Sequence, residues 1–333
     1  MSSTADQLTT DLLSHPGRRV SRIIATARLA SVVAAFERFD ADEPDSLHRL
    51  RVSLRRLRSW LRGYRPELDD TVRRRTRRRL RKLVRATNRA RDAEVWTTWI
   101  AAQADAPARA RAGHRYIAAR LADERDRAIR DATERLRREL PRVLDALGHE
   151  LSGYWLRISL DQAAPEETMA ATTAELLRGH VRKLRRRFVR IEAAGDVDEM
   201  HAARIAAKAL RYLLDAMTMY PEATDTAAQL SELQDMLGLV HDLAPAADRM
   251  LDEIASIAAD EARRGAAQAL GLIPVGAEAS APAGVRSGLL DLASRAQRQG
   301  EAGFERFRRT WTEARLDAVS ATVNTLADAI QGS

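Results

Sequence analysis

Residues 47–60 read LHRLRVSLRRLRSW, and residues 200–213 read MHAARIAAKALRYL. In the first stretch Leu47, Leu50, Leu54, Leu57 and, just beyond it, Leu61 recur at steps of three and four, which puts them on one narrow stripe of an α-helix. His48, Arg51, Arg55, Arg58 and Arg62 keep the same rhythm one residue later. One residue is about 100° of helical rotation, so this basic stripe flanks the packed face instead of lying opposite it. The second stretch has the same register. Met200, Ala203, Ala207, Leu210 and Leu214 point inward, while His201, Arg204, Lys208 and Arg211 flank them. A row of cations beside a core seam is expected to line a groove between helices.

The two stretches form a repeat. His48, Arg51, Arg55 and Arg58 align with His201, Arg204, Lys208 and Arg211, each at an offset of 153. Further on, LRKLVRATNRARD (80–92) aligns with LSELQDMLGLVHD (230–242) at an offset of 150, pairing Asp92 with Asp242 and Asn88 with Gly238. The expectation is two homologous bundles, over 15–150 and 165–331, joined by a linker at 148–165. Helices are expected at 18–40, 45–63, 67–104, 107–147, 166–194, 196–219, 223–270, 285–299 and 301–331. Pro44, Pro66, Pro107, Gly148, Pro165, Gly195 and Pro221 stand between them as breakers. No alternating β pattern occurs, so the class is all-α. In the helix that opens the second half, Leu177, Val181, Leu184, Phe188 and Ile191 face in, with Arg178, Arg182 and Arg185 as the flanking row.

Charge is segregated along these helices. Net charge is +8, and only Lys82, Lys183 and Lys208 among the 55 basic residues are lysines. No acid occurs between Asp45 and Glu67, between Asp70 and Asp92, between Glu175 and Glu192, or between Glu199 and Asp215. Like charges three and four apart on a helix repel unless something neutralises them, so these windows point to an anion-binding face. Arginine suits that role, because its planar fork grips phosphate in a bidentate way. By contrast, residues 121–139 mix both signs at helical spacing, as a solvated surface does. Asp215 to Glu261 holds eleven acids and one arginine, Arg249.

With no cysteine, the chain has no disulfide, thiolate metal site or cysteine nucleophile. Neither a membrane span nor a signal peptide is recognisable, so the expected location is cytoplasmic. No phosphate-binding glycine loop, His-Glu-x-x-His or Gly-x-Ser-x-Gly occurs, and the basic windows lack the carboxylates that hold magnesium in phosphatases. The protein is therefore expected not to be an enzyme, and to need no cofactor.

The doubled H-x-x-R-[VI]-x-x-[RK]-x-x-R signature resembles the CHAD family, named for a conserved-histidine α-helical domain. The likeness runs from about residue 15 to 330. It implies two pseudo-symmetric antiparallel four-helix bundles around a basic central groove, binding of inorganic polyphosphate, and association with polyphosphate granules. Carried over by position, the motif residues are His48, Arg51, Arg55 and Arg58, then His201, Arg204, Lys208 and Arg211. Spacing adds Arg62, then Arg78, Arg81 and Arg85 on the adjoining helix, Arg178, Arg182 and Arg185, and Arg22.

The second repeat departs from the first, with Ser231, Glu232 and Asp235 where the first has Arg81, Lys82 and Arg85. Either these acids face outward or the second half contributes only through 166–194 and 196–219, which gives an asymmetric site weighted to the first half. Asn88 in place of glycine suits a left-handed residue at a turn. His48 and His201 are expected to contact phosphate or to be structural. A metal is disfavoured because the surrounding stripes supply arginine, and His241 and Asp242 do not share a helix face. The alternatives are a non-specific nucleic-acid-binding protein and a granule-associated scaffold that recruits other proteins through the acidic half. Sequence-specific nucleic-acid recognition is not expected, since few of the aromatic residues fall in the basic windows. Trp60, Trp96, Trp99, Trp155 and Trp311 are read as packing residues.

Overall fold

The structure, a computed structural model, describes residues 7–40, 43, 45–103, 105–153, 167–274 and 282–332. Trp155 and residues 154–165 of the expected linker lie outside the described residues. Among those described, the chain is helical and forms no strand. The elements are α1 (Thr10–Leu13), α2 (Gly17–Glu37), α3 (Ser46–Gly63), α4 (Arg65–Leu68), α5 (Arg74–Ala86), α6 (Asn88–Ala101), α7 (Arg111–Ser152), α8 (Met169–Phe188), α9 (Val197–Leu214), α10 (Pro221–Ala269), α11 (Val285–Thr310) and α12 (Glu313–Gln331). No helix among them is long and apolar enough to cross a membrane.

Local chemistry sets several boundaries. The hydroxyls of Thr168 and Thr312 accept from the backbone N–H groups of Ala171 and Arg315, as N-caps do. Pro221 opens α10 at a position where its missing N–H costs nothing. The start of α5 is capped from another helix: Glu150 of α7 accepts from the Arg73 N–H at 3.0 Å and from the Thr76 hydroxyl at 2.7 Å. That carboxylate fastens a helix carrying eight basic residues in thirteen.

Three expected boundaries are corrected. The single helix over 67–104 is α4, α5 and α6. Thr87 donates its hydroxyl to the Val84 carbonyl at 2.8 Å and interrupts the ladder between α5 and α6. The last two helices divide at Trp311–Thr312, where a threonine cap is available, and not near Gly300, which lies inside α11. Residues 148–152 continue α7 and are not linker. The turn expected after Asn88 and Gly238 is absent: neither residue has a positive φ, and α10 runs on through His241, Asp242 and Pro245.

α2, α3, α5 and α7 pack together, as do α8, α9, α10 and α12, and α3 meets α9 across the middle while α2 meets α8. All three apolar stripes read from the sequence are buried. One continuous core runs from Leu8 to Ile330 through both halves. Polar contacts sew the same seam: the Tyr64 hydroxyl and Thr173 Oγ1 stand 3.0 Å apart inside it, and the Met169 N–H donates to the His15 carbonyl at 2.8 Å. A second apolar cluster lies beyond the bundles, where α6 and α11 pack on the overhanging ends of α7 and α10 through Ile100, Ile117, Leu121, Met250 and Leu289. Gly113 of α7 and Gly288 of α11 let the two backbones touch there. A Cβ on Gly288 would stand 2.3 Å from the Ala110 carbonyl oxygen.

Candidate functional site

Where α3 meets α9, with α5, α6 and α10 as walls, the two halves enclose a groove of about 640 Å³. α3 lines it with Arg51, Arg55, Arg58 and Arg62, and α9 with His201, Arg204 and Lys208. Arg85 of α5 and Arg91 of α6 complete the cationic wall. The flanking-stripe reading of α3 and α9 therefore holds for these residues.

A number of arginines elsewhere are answered by a carboxylate, among them Arg49 by Glu43, Arg120 by Glu253, and Arg295 by Asp105 and Asp291. Among the described residues, none of the cations named on the groove wall forms such an ion pair. Nε of Arg51 and Nε of Arg55 are buried and lack a hydrogen-bond partner. The electrostatic consequence is direct. Burial, then Arg55, Arg204, Arg211 and Arg51, push the Lys208 ammonium down to about 7. Burial and Arg55 lower Arg51 to about 10, against the attraction of Glu94 and Asp92. Arg58 is lowered by burial, then by Arg62, Arg85 and Arg81. Crowded, half-desolvated like charges form a site that gains from an anion.

One end of the groove is of mixed sign. Asp92 and Asp242 both border it, and burial followed by Asp242 raises the Asp92 carboxyl above its ordinary range. His201 and His241 stand beside them. Burial, then His241 and Arg204, lower His201. His241 and Asp242 do not share a helix face, yet both border the groove, since neighbours about 100° apart can reach one wide opening. Arg91, Asp92, His241 and Asp242 were missed as lining, although the alignment of 80–92 with 230–242 marks all four positions. Among the described residues, no group of three or more His, Asp or Glu side chains could hold a metal ion.

The remaining expected site residues stand elsewhere. His48, in the first turn of α3, is exposed and borders none of the described cavities. The stripe defines a face but not how far along it the neighbouring helices reach. Arg178 and Arg185 turn away from the groove to Asp328 and Asp317 of α12, and Arg182 is exposed. A seam has two flanks, and the flank of α8 near α3 carries His180 instead, lowered by burial, Lys183 and Arg62. Arg22 is buried at 3% exposure and borders none of the cavities.

Arg78 and Arg81 line a crevice between α3 and α5, of about 550 Å³, that shares Arg58, Arg62 and Arg85 with the groove. Arg211 borders a larger cavity of about 840 Å³ on the second half, together with Asp215, Glu232 and Asp235. The two acids in doubt thus lie outside the central groove, and Glu232 also pairs with Arg315. Despite its size, that cavity mixes Arg56, Arg211 and Arg306 with the three acids. The smaller central groove is the candidate site because its cations lack carboxylate partners.

The family model of the CHAD domain matches residues 23–251, which include both copies of the signature. The crystal structure of the CHAD domain from the plant Ricinus communis superposes with a TM-score of 0.59 over 93% of this chain and 92% of that one. The identity is 22%, so that likeness concerns the fold. No curated protein matches the chain. Since the family model spans well over half of the sequence, the chain belongs to the CHAD family.

Proposed function

We propose that the central groove binds inorganic polyphosphate without turning it over, and that the protein associates with polyphosphate granules through it. One observation carries the reading. Arg51, Arg55 and Arg58 of one half and Arg204 and Lys208 of the other converge on one groove without a carboxylate ion pair among the described residues. The CHAD family is associated with polyphosphate binding, which narrows the anion. A linear chain of phosphates matches rows of cations spaced by helical turns, one turn being about 5.4 Å. Charge-assisted bonds are stronger in a partly desolvated groove than on open surface. Carboxylates are confined to one end, so the groove is equipped to hold a polyanion rather than to activate water against it.

The test is a competition titration at near-physiological salt between long-chain polyphosphate and duplex DNA of equal phosphate concentration. Preference for polyphosphate, lost in Arg51→Ala/Arg55→Ala, supports the groove. Equal affinity for both, untouched by that variant, returns the reading to a basic surface that takes any polyanion, nucleic acid included.

A further inference from the structure

The two halves carry unlike crevices, and of the two only that of the first half shares lining residues with the groove. On the first half the α3/α5 crevice is lined by eight arginines and two leucines. Arg65 and Arg77 of this set share Asp69, while the other six form no ion pair among the described residues. It opens into the groove, because Arg58, Arg62 and Arg85 belong to both. On the second half the cavity beside α9 and α10 occupies the equivalent sequence positions with different chemistry. Asp215 stands at the offset of Arg62, Ser231 at that of Arg81 and Asp235 at that of Arg85.

We infer that polyphosphate held in the central groove leaves it in one direction only, through the α3/α5 crevice of the first half, so that affinity rises with chain length until that crevice is filled. This rests on the polyphosphate reading of the groove. Through the residues it shares with the crevice, the groove continues on the first half into arginines of which six form no ion pair among the described residues. The cavity of the second half shares no lining residue with the groove, and its Asp215, Glu232 and Asp235 repel a polyanion. The ligand class follows: a condensed phosphate chain long enough to occupy groove and crevice together, with tripolyphosphate too short to do so.

The experiment measures affinities for tripolyphosphate and for long-chain polyphosphate by calorimetry at fixed salt. The proteins are the parent, Arg74→Ala/Arg78→Ala in the exposed rim of the crevice, Asp235→Arg opposite, and Arg51→Ala/Arg55→Ala in the groove. The crevice variant is expected to lower the ratio of long-chain to tripolyphosphate affinity by about tenfold. Asp235→Arg is expected to raise that ratio severalfold by opening a second exit. An unchanged ratio in both variants overturns the one-way path while leaving the groove reading intact, provided the groove variant still weakens both ligands. If the groove variant weakens neither, it is the groove reading itself that fails.

Discussion

The rings of His201 and His241 lie with centroids 4.4 Å apart and tilted by 40° at the end of the groove where Asp92 and Asp242 also stand. Burial, then the contact with His241 and the neighbouring Arg204, make the His201 imidazole resist protonation. The histidine of the second signature copy therefore titrates below its ordinary range, and the pH sensitivity of the groove near neutrality falls to another residue.

That residue is Lys208. Its ammonium, pushed down to about 7, is charged below that pH and neutral above it. Polyanion affinity is expected to fall by about tenfold as pH rises through that value, one charge-assisted contact being lost. Stability of the free protein runs the other way. Between about 7 and the ordinary lysine value of 10.5 the unfolded chain holds a proton that the folded chain does not, so stability rises with pH across that window. Lys208→Met should flatten both profiles, as read by titration calorimetry and by thermal melts across the range. A parent-like affinity step in that variant would assign the step elsewhere.

Arg51→Ala/Arg55→Ala removes two cations whose Nε atoms are buried without partners. The slope of log affinity against log salt should fall by about 1.5, near the value for two phosphate contacts on a flexible single strand. The fold should not suffer, because the change removes like-charge repulsion as well as side-chain packing. Binding isotherms at several salt concentrations, with circular dichroism as control, check this.

Gly238, in the middle of α10, faces Arg204: a Cβ there would lie 3.3 Å from the Arg204 Nε. Gly238→Ala should stabilise the helix by up to about 1 kcal/mol. It should also displace the Arg204 guanidinium and cost about threefold in affinity, a fraction of one charge-assisted contact. Opposite movements of melting temperature and affinity would be the signature.

Gly288→Ala addresses the far end of the molecule. Its Cβ would overlap the Ala110 carbonyl and the backbone of Gly113, which a side-chain rotation cannot relieve. A destabilisation of about 3 kcal/mol is expected from such overpacking. Affinity per folded molecule should stay at the parent value, since the α7–α11 contact lies outside the groove. Chemical denaturation and a binding titration below the transition would separate the two effects.

Helicity and the inward face of each helix were legible in the sequence alone. Leu50, Leu54 and Leu57, or Leu177, Leu184 and Phe188, recur at helical spacing, and burial of apolar surface leaves such a stripe few alternatives. The cationic character of α3 and α9 was equally legible, since unbroken runs of like charge on a helix have a cost that asks for a counterion. Local pattern could not say which flank of a seam meets another helix. Arg178 and Arg185 share the register of Arg51 and Arg55, yet they turn to α12 because packing of α8 between α9 and α12 gives them Asp328 and Asp317. Nor could spacing bring Asp92 beside Asp242, or His201 against His241, contacts that arise only when the two halves close on a shared core. Periodicity belongs to one helix at a time, whereas a groove belongs to the space between several, and only tertiary packing decides which side chains share it.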